Sequence, residues 1–425
     1  MSSEQRVAWL TGFSHLITHG YMTLLPALLV AIASEHSINF TTLGIIANIS
    51  YFLYGLGAIP AGYLADKIGS KRMLSIGILG MALSSLFVGF SVGIAGFAVS
   101  YALLGVFASI HHPAGLSLIA RRINERKGRA LGFHGLLGNV GLFLAPLAAS
   151  ACVMITGTWR AGYITFGLAG LVFFIIIYLT EIPQEPNLSL SSIFGGKTKE
   201  SASPAPQPVD HQEAHQVPQP FSLPIALIAL LAGSILSGFI FRGSLTFFPT
   251  LFQQEISAIA NNDHGPILAG YLTTAVLSLG FFSAWFGGYI TDKLKRPELF
   301  PALIFLLVAP ILYCISRFSE YPLIASSAFF SLIYYAWQPS QNYLIAKYTR
   351  KASHGIGFGV NFFLLFGMGS AATAVGGYIA DDYTIDLFYF IMSVIAAIAM
   401  LVAFSVYFSR KWIVKFPFQL VREKE

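Results

Sequence analysis

Apolar residues run along this chain in long blocks rather than in alternation with polar ones. The blocks fall at about residues 7–33, 42–65, 72–92, 95–120, 129–155 and 160–180, and again at about 223–252, 267–291, 299–317, 321–346, 355–380 and 385–408. A helix crossing the hydrocarbon core of a bilayer needs about 20 residues, and each block reaches about that length. Strands of a membrane barrel would alternate over about 10 residues, whereas these blocks are apolar on every face. In lipid only helices and closed barrels satisfy the backbone. The pattern therefore predicts an all-α integral membrane protein with twelve transmembrane helices.

The blocks divide six and six around residues 181–222, a stretch rich in Pro, Ser, Gln and Glu with almost no aromatic residues. Such a composition cannot bury a core. The predicted organisation is a six-helix bundle over 1–180, a cytoplasmic flexible linker over 181–222, a second six-helix bundle over 223–409 and a cytoplasmic tail over 410–425. His211 and His215 lie in the linker with nothing nearby to complete a metal site.

Composition agrees: 55% of the 425 residues are hydrophobic and 10% are charged, against roughly 25% charged in a soluble domain. A soluble enzyme, a nucleic-acid binder and a disulfide scaffold are excluded, the last because Cys152 and Cys314 are the only cysteines. No signal-peptide cleavage or lipidation pattern is evident at the N-terminus. The net charge of +6 matters less than its placement, since 22 of the 25 Lys and Arg residues fall in segments on one side of the twelve-helix topology. Only Arg160 and Arg317 fall in the opposite loops, with Glu35, Glu255, Asp263, Glu320, Asp382 and Asp386. Positive residues stay inside, so both termini are expected in the cytoplasm and the protein in the inner (plasma) membrane.

The halves repeat. Gly62-Tyr63-Leu64-Ala65-Asp66-Lys67 returns as Gly288-Tyr289-Ile290-Thr291-Asp292-Lys293, and Pro113 with Leu118-Ile119-Ala120-Arg121 returns as Pro339 with Leu344-Ile345-Ala346-Lys347, both at an offset of 226. His19-Gly20 through Pro26 returns as Arg242-Gly243 through Pro249, at 223. Parallel repeats of this kind place a binding site between the halves near mid-membrane, with access alternating as they rock.

The segment Gly62 to Leu74, GYLADKIGSKRML, resembles the loop signature of the major facilitator superfamily, with Ser70 where a basic residue is usual. Gly132, Gly141 and Ala145-Pro146 resemble the helix-packing motif of that family's antiporters, with Ala149 and Ser150 in place of its last glycines. Tyr101 stands where the family's helix 4 carries an arginine. Ser14-His15, Leu24 to Leu28, His112-Pro113 and Arg242 ahead of Thr246 to Pro249 are similar to the fosmidomycin-resistance-like efflux branch. The resemblance implies a secondary transporter and a gating role for Gly62, Asp66, Lys67, Gly69, Lys71, Arg72 and Asp292.

Within the predicted membrane interior, Arg242 is the one Lys or Arg. A charge there costs several kcal/mol unless it faces water or a partner. It is either an anchor for a carboxylate, phosphate or phosphonate or a structural arginine reaching to the surface. His15 and His19 share a helix face, His111 and His112 lie on the fourth span beside the bend that Pro113 should introduce, and His134 lies early in the fifth. Histidine titrates near neutrality, so His15, His19, His111 and His112 are candidates for carrying a coupled proton, His19 first because the repeat sets it opposite Arg242. Each alone is also readily a neutral, hydrogen-bonded core residue. Tyr334, Gln338 and Gln341 join Arg242, His15 and His19 as candidate substrate contacts.

The expected function is proton-coupled efflux of a small solute, an anion being the favoured class, with the lipid bilayer, the solute and protons as partners. No cofactor, metal or nucleic acid is expected, and the chain is expected to act as a monomer. Import of a metabolite or iron chelate, or uniport, uses the same architecture. A haem protein liganded by histidines is the alternative from another class.

Overall fold

The computed structural model describes residues 2–38, 40–183, 222–262, 265–409 and 413–415. Most of the linker, with His211 and His215, and nearly all of the tail lie outside the described residues.

The N-terminal half holds α1 (Ser3–His36), α2 (Phe40–Ile68), α3 (Ser70–Gly89), α4 (Gly93–Ala108), α5 (His111–Arg122), α6 (Lys127–Thr156) and α7 (Arg160–Leu179). The C-terminal half holds α8 (Ile225–Glu255), a short α9 (Ser257–Ala260), α10 (Gly265–Ser278), α11 (Gly280–Lys293), α12 (Phe300–Ile315), α13 (Glu320–Tyr334), α14 (Trp337–Tyr348), α15 (His354–Phe362), α16 (Ala371–Asp382) and α17 (Ile385–Ser409). Among the described residues, nine helical segments are each long and apolar enough to cross a bilayer. With α1, the α13–α14 pair and the α15–α16 pair they complete twelve crossings. Phe52, Phe87, Leu147, Leu179, Phe329 and Leu401 stand exposed on the outside, as lipid-facing side chains do.

Four of the predicted continuous spans are interrupted. The fourth breaks at Ser109–Ile110 and the tenth at Tyr335–Ala336, again 226 residues apart. Proline explains both, because its ring clashes with the carbonyl four residues earlier. Pro113 and Pro339 set that clash at Ser109 and Tyr335. The eighth span breaks at Leu279, and the eleventh carries a π-helical turn at Phe363–Met368. The all-α expectation also omits a two-stranded antiparallel ribbon, β1 (Ser222–Pro224) with β2 (Ile413–Lys415), which pairs Leu223 with Val414.

The two halves meet backbone to backbone at the end rich in Lys and Arg. A Cβ on Gly62 of α2 would lie 2.2 Å from the Gly355 carbonyl oxygen of α15. A Cβ on Gly288 of α11 would lie 2.2 Å from the Gly128 carbonyl oxygen of α6. Only glycine permits either approach, so the repeated signature glycines are contact points between the halves.

Candidate functional site: a bolted end and a polar centre

At the basic end, each signature aspartate caps a helix of the other half. Asp66 accepts from the backbone N–H groups of Gly355 (2.8 Å) and Ile356 (2.9 Å), the second and third residues of α15. Asp292 accepts from Gly128 (2.6 Å) and Arg129 (2.8 Å), the second and third residues of α6. First-turn N–H groups have no partner within their own helix, and the helix dipole favours an anion there. Asp66 also pairs with Arg121, whose Nε donates to the Lys351 carbonyl at 3.0 Å. Gly69, at φ +98, makes the turn into α3. Lys67 lies over the Tyr63 ring at 5.4 Å, Lys71 is buried and Arg72 is half-buried.

The packing-motif glycines divide their work. Gly132 holds α6 against α11, where a Cβ would lie 3.0 Å from the Ala284 carbonyl oxygen. Gly141 holds α6 against α1, at 2.1 Å from the Leu16 carbonyl oxygen. The side chain of Pro146 lies outside the described residues.

Arg242 is half-buried on α8, about 26 Å along the helix from Ile225 at 1.5 Å per residue. Its guanidinium sits 5.2 Å from the centre of the Tyr51 ring, reaching across to α2 of the other half. Tyr51 is held in place by donating to the Met22 carbonyl at 2.9 Å. Among the described residues no carboxylate lies within ion-pair distance of Arg242, and its Nε is buried without a hydrogen-bond partner.

The histidines converge in the N-terminal half. His15 Nδ1 donates to the His134 carbonyl at 2.7 Å, His19 Nδ1 to the Gly138 carbonyl at 3.2 Å, and His134 Nδ1 to the Thr11 carbonyl at 3.1 Å. Ser14 Oγ donates to the Thr11 carbonyl at 2.9 Å, so it accepts from His111 Nδ1 at 3.2 Å. His15 and His134 stack with ring centres 4.1 Å apart, and His112 stacks on Phe362 of the other half at 4.1 Å. His15, His111, His112 and His134 are each at most 2% exposed. His19 and Gln338, both half-buried, stand at the edge of this group; Gln338 and Asn342 line a narrow gap with His15, His112 and His134.

Two candidate substrate contacts go elsewhere. Gln341 donates to the Leu230 carbonyl (2.7 Å) and Ser234 Oγ (2.9 Å), and the Tyr334 hydroxyl donates to the Ser237 carbonyl (2.7 Å). Both tie α13–α14 to α8 inside the C-terminal half. His19 and Arg242, equivalent by the repeat, do not touch; each is engaged with other groups. Sequence reasoning missed Tyr51, the Asp66–Arg121 pair and the membership of His134 in the cluster. Single-segment spacing also names no metal-ligand set, yet the fold gathers four histidines from three helices with ligand atoms within 4.8 Å of one another.

The sequence profile of the Major Facilitator Superfamily matches residues 10–374. The D-galactonate transporter of Escherichia coli O6:H1 is 25% identical over 280 residues, 63% of this chain and 63% of that transporter, so less than two thirds of that relative is spanned. The fosmidomycin resistance protein of Escherichia coli K12 is 24% identical, covering 92% of this chain and 91% of its own. Among solved structures, the human organic anion transporter MFSD10 superposes with TM-score 0.73 at 14% identity, covering 95% of this chain and 100% of its own. The Escherichia coli fucose:proton symporter superposes with TM-score 0.72 at 13% identity, covering 96% and 99%. This chain belongs to the major facilitator superfamily, as a multi-pass integral membrane protein.

Proposed function

We propose that the protein carries a small organic anion out of the cell in exchange for protons, by alternating access between its two halves. Arg242 is the observation that carries the anion. An unpaired guanidinium deep in a bundle costs several kcal/mol, and a carboxylate, phosphate or phosphonate offsets that cost through paired, charge-assisted hydrogen bonds. Tyr51 holds the guanidinium at the seam between the halves, so an anion bound there senses their relative motion. D-galactonate, organic anions and fosmidomycin in the names of relatives and structural neighbours support the substrate class. Outward movement rests on likeness to the fosmidomycin resistance protein. Proton coupling rests on likeness to proton symporters.

In this reading the basic end is cytoplasmic, and Asp66 and Asp292 bolt that end shut. Rocking must withdraw both carboxylates from the first turns of α15 and α6, so they set the free-energy difference between the two packings.

The test is direct binding of D-galactonate and fosmidomycin to purified protein in lipid nanodiscs. Arg242→Ala is expected to weaken the anion that binds by at least about tenfold, or 1.4 kcal/mol, with Arg242→Lys between the two. Unchanged affinity overturns the anchor. In everted vesicles, solute accumulation that survives a protonophore overturns the proton coupling.

A further inference from the structure

The hydrogen bonds of the histidine cluster fix its chemistry. A neutral imidazole donates through one ring nitrogen and offers a lone pair on the other. A carbonyl oxygen only accepts, so His15, His19 and His134 each carry their proton on Nδ1. His111 does the same, because the Ser14 hydroxyl has spent its own hydrogen on Thr11. His15 Nε2 and His19 Nε2 lie 3.0 Å apart, close enough to share a proton. His111 Nε2 and His134 Nε2 are buried with no partner, and so are both ring nitrogens of His112. Buried polar atoms are ordinarily satisfied, and a cluster that is not needs an explanation.

We infer that His15, His111, His112 and His134 form a binding site for a divalent first-row transition-metal ion of the Zn2+, Co2+ or Ni2+ class. Four neutral imidazoles without a carboxylate or thiolate suit these ions rather than Mg2+ or Ca2+. The outward Nδ1–H bonds of His15, His111 and His134 to carbonyl and hydroxyl oxygens are the outer partners that metal-bound histidines use to fix their tautomer and raise their basicity. Ligand atoms within 4.8 Å of one another compare with about 3.3 Å along each edge of a tetrahedron whose metal–nitrogen bonds are about 2.05 Å. Loading thus draws each ring inward by roughly 1 Å, and the near-parallel rings of His15, His111 and His134 must fan toward a common point. The site lies in the N-terminal half, and the inference does not depend on the role of Arg242.

The experiment uses the full chain carrying no polyhistidine tag, stripped with chelator and titrated with Co2+ while visible absorption and bound metal are measured. The expected result is about one Co2+ per chain with the intense d–d bands of four-coordinate nitrogen ligation, displaced by Zn2+. His134→Gln and His112→Phe are each expected to weaken binding by more than about tenfold. Should either fail to fold, Ser14→Ala, which removes only the outer partner of His111, is expected to weaken binding by about tenfold. His211→Ala with His215→Ala is expected to bind as the parent does. The inference is overturned if the parent shows no such bands, if binding disappears with His211 and His215, or if Ser14→Ala and the two cluster variants bind as the parent does.

Discussion

The polar centres of the two halves occupy equivalent places and are built differently. By the offset of 223, Thr11, Ser14, His15 and His19 of α1 correspond to Ser234, Ser237, Gly238 and Arg242 of α8. By the offset of 227 that relates Gly128 to Gly355, His134 corresponds to Asn361. In the C-terminal half, Gln341 donates to Ser234, Ser234 donates to Asn361 Oδ1 at 2.5 Å, and Tyr334 closes on Ser237. Hydroxyls and amides fill one another there. In the N-terminal half His15, His111 and His134 bond outward through Nδ1, while the inner nitrogens of His111 and His134 and both of His112 have no partner. Duplication kept the helices, the proline breaks and the aspartate caps. What differs between equivalent positions is a closed amide network against imidazoles with unpartnered nitrogens, and Arg242 against His19.

The largest test of this comparison exchanges a size pair. His15 fills the space over Gly138, where a Cβ would lie 2.3 Å from the imidazole; the equivalent space in the other half holds Gly238 against the Leu365 carbonyl, at 2.1 Å. Gly138→Leu alone is expected to overpack the site and cost about 3 kcal/mol, read as a lowered thermal midpoint in detergent. His15→Gly with Gly138→Leu imitates the C-terminal arrangement and is expected to recover most of that loss. If the double variant is no more stable than the single one, the halves do not pack by the same rule.

Second in size are the caps. Asp66→Asn and Asp292→Asn each remove an anion from a helix N-terminus, an interaction of roughly 1–2 kcal/mol. Asp66 has Arg121 as well, so its substitution is expected to slow transport more, by about tenfold or 1.4 kcal/mol, with little change in solute affinity. Equal effects of the two would show that the arginine contributes nothing to the bolt. Smaller again is Gln341→Leu, which removes one donor each from the Leu230 carbonyl and Ser234 Oγ and is expected to cost about 1 kcal/mol of stability. KM should stay within roughly twofold if Gln341 only packs helices; a large rise in KM would return it to the substrate site.

How far the sequence speaks follows from the range of each interaction. The twelve spans and the bend at Pro113 are local, since a proline acts on the carbonyl four residues away; the matching break at Pro339 follows from the repeat. Asp66 and Asp292 were recognisable as a pair, but their acceptor role was not, since their partners are backbone N–H groups almost 290 and 164 residues distant. His111 and His112 announced themselves by adjacency. Their meeting with His134 depends on how α1, α5 and α6 cross, which no spacing reveals. Gln341 and Tyr334 had the right chemistry for a cavity, and helix rotation turned them inward to α8. Arg242 was legible because a lone charge in an apolar block has no local explanation.

The smallest expected effect lies at the end opposite the bolts, where Glu35 pairs with Arg160 and accepts from Trp159 Nε1 at 2.8 Å. This ion pair is better exposed than the Asp66 pair, with side-chain exposures of 42% for Glu35 and 26% for Arg160, so water and salt screen it to under about 1 kcal/mol. Both partners also belong to the N-terminal half, joining α1 to α7. A contact within one rigid body is kept in both packings and cannot bias their equilibrium, whereas Asp66 and Asp292 span two bodies and can. Glu35→Gln keeps an oxygen for Trp159 and removes only the charge. It is therefore expected to lower the thermal midpoint slightly, less at high salt, and to leave turnover within roughly twofold of the parent. A turnover defect as large as that of Asp66→Asn would mean that the N-terminal half does not move as one piece.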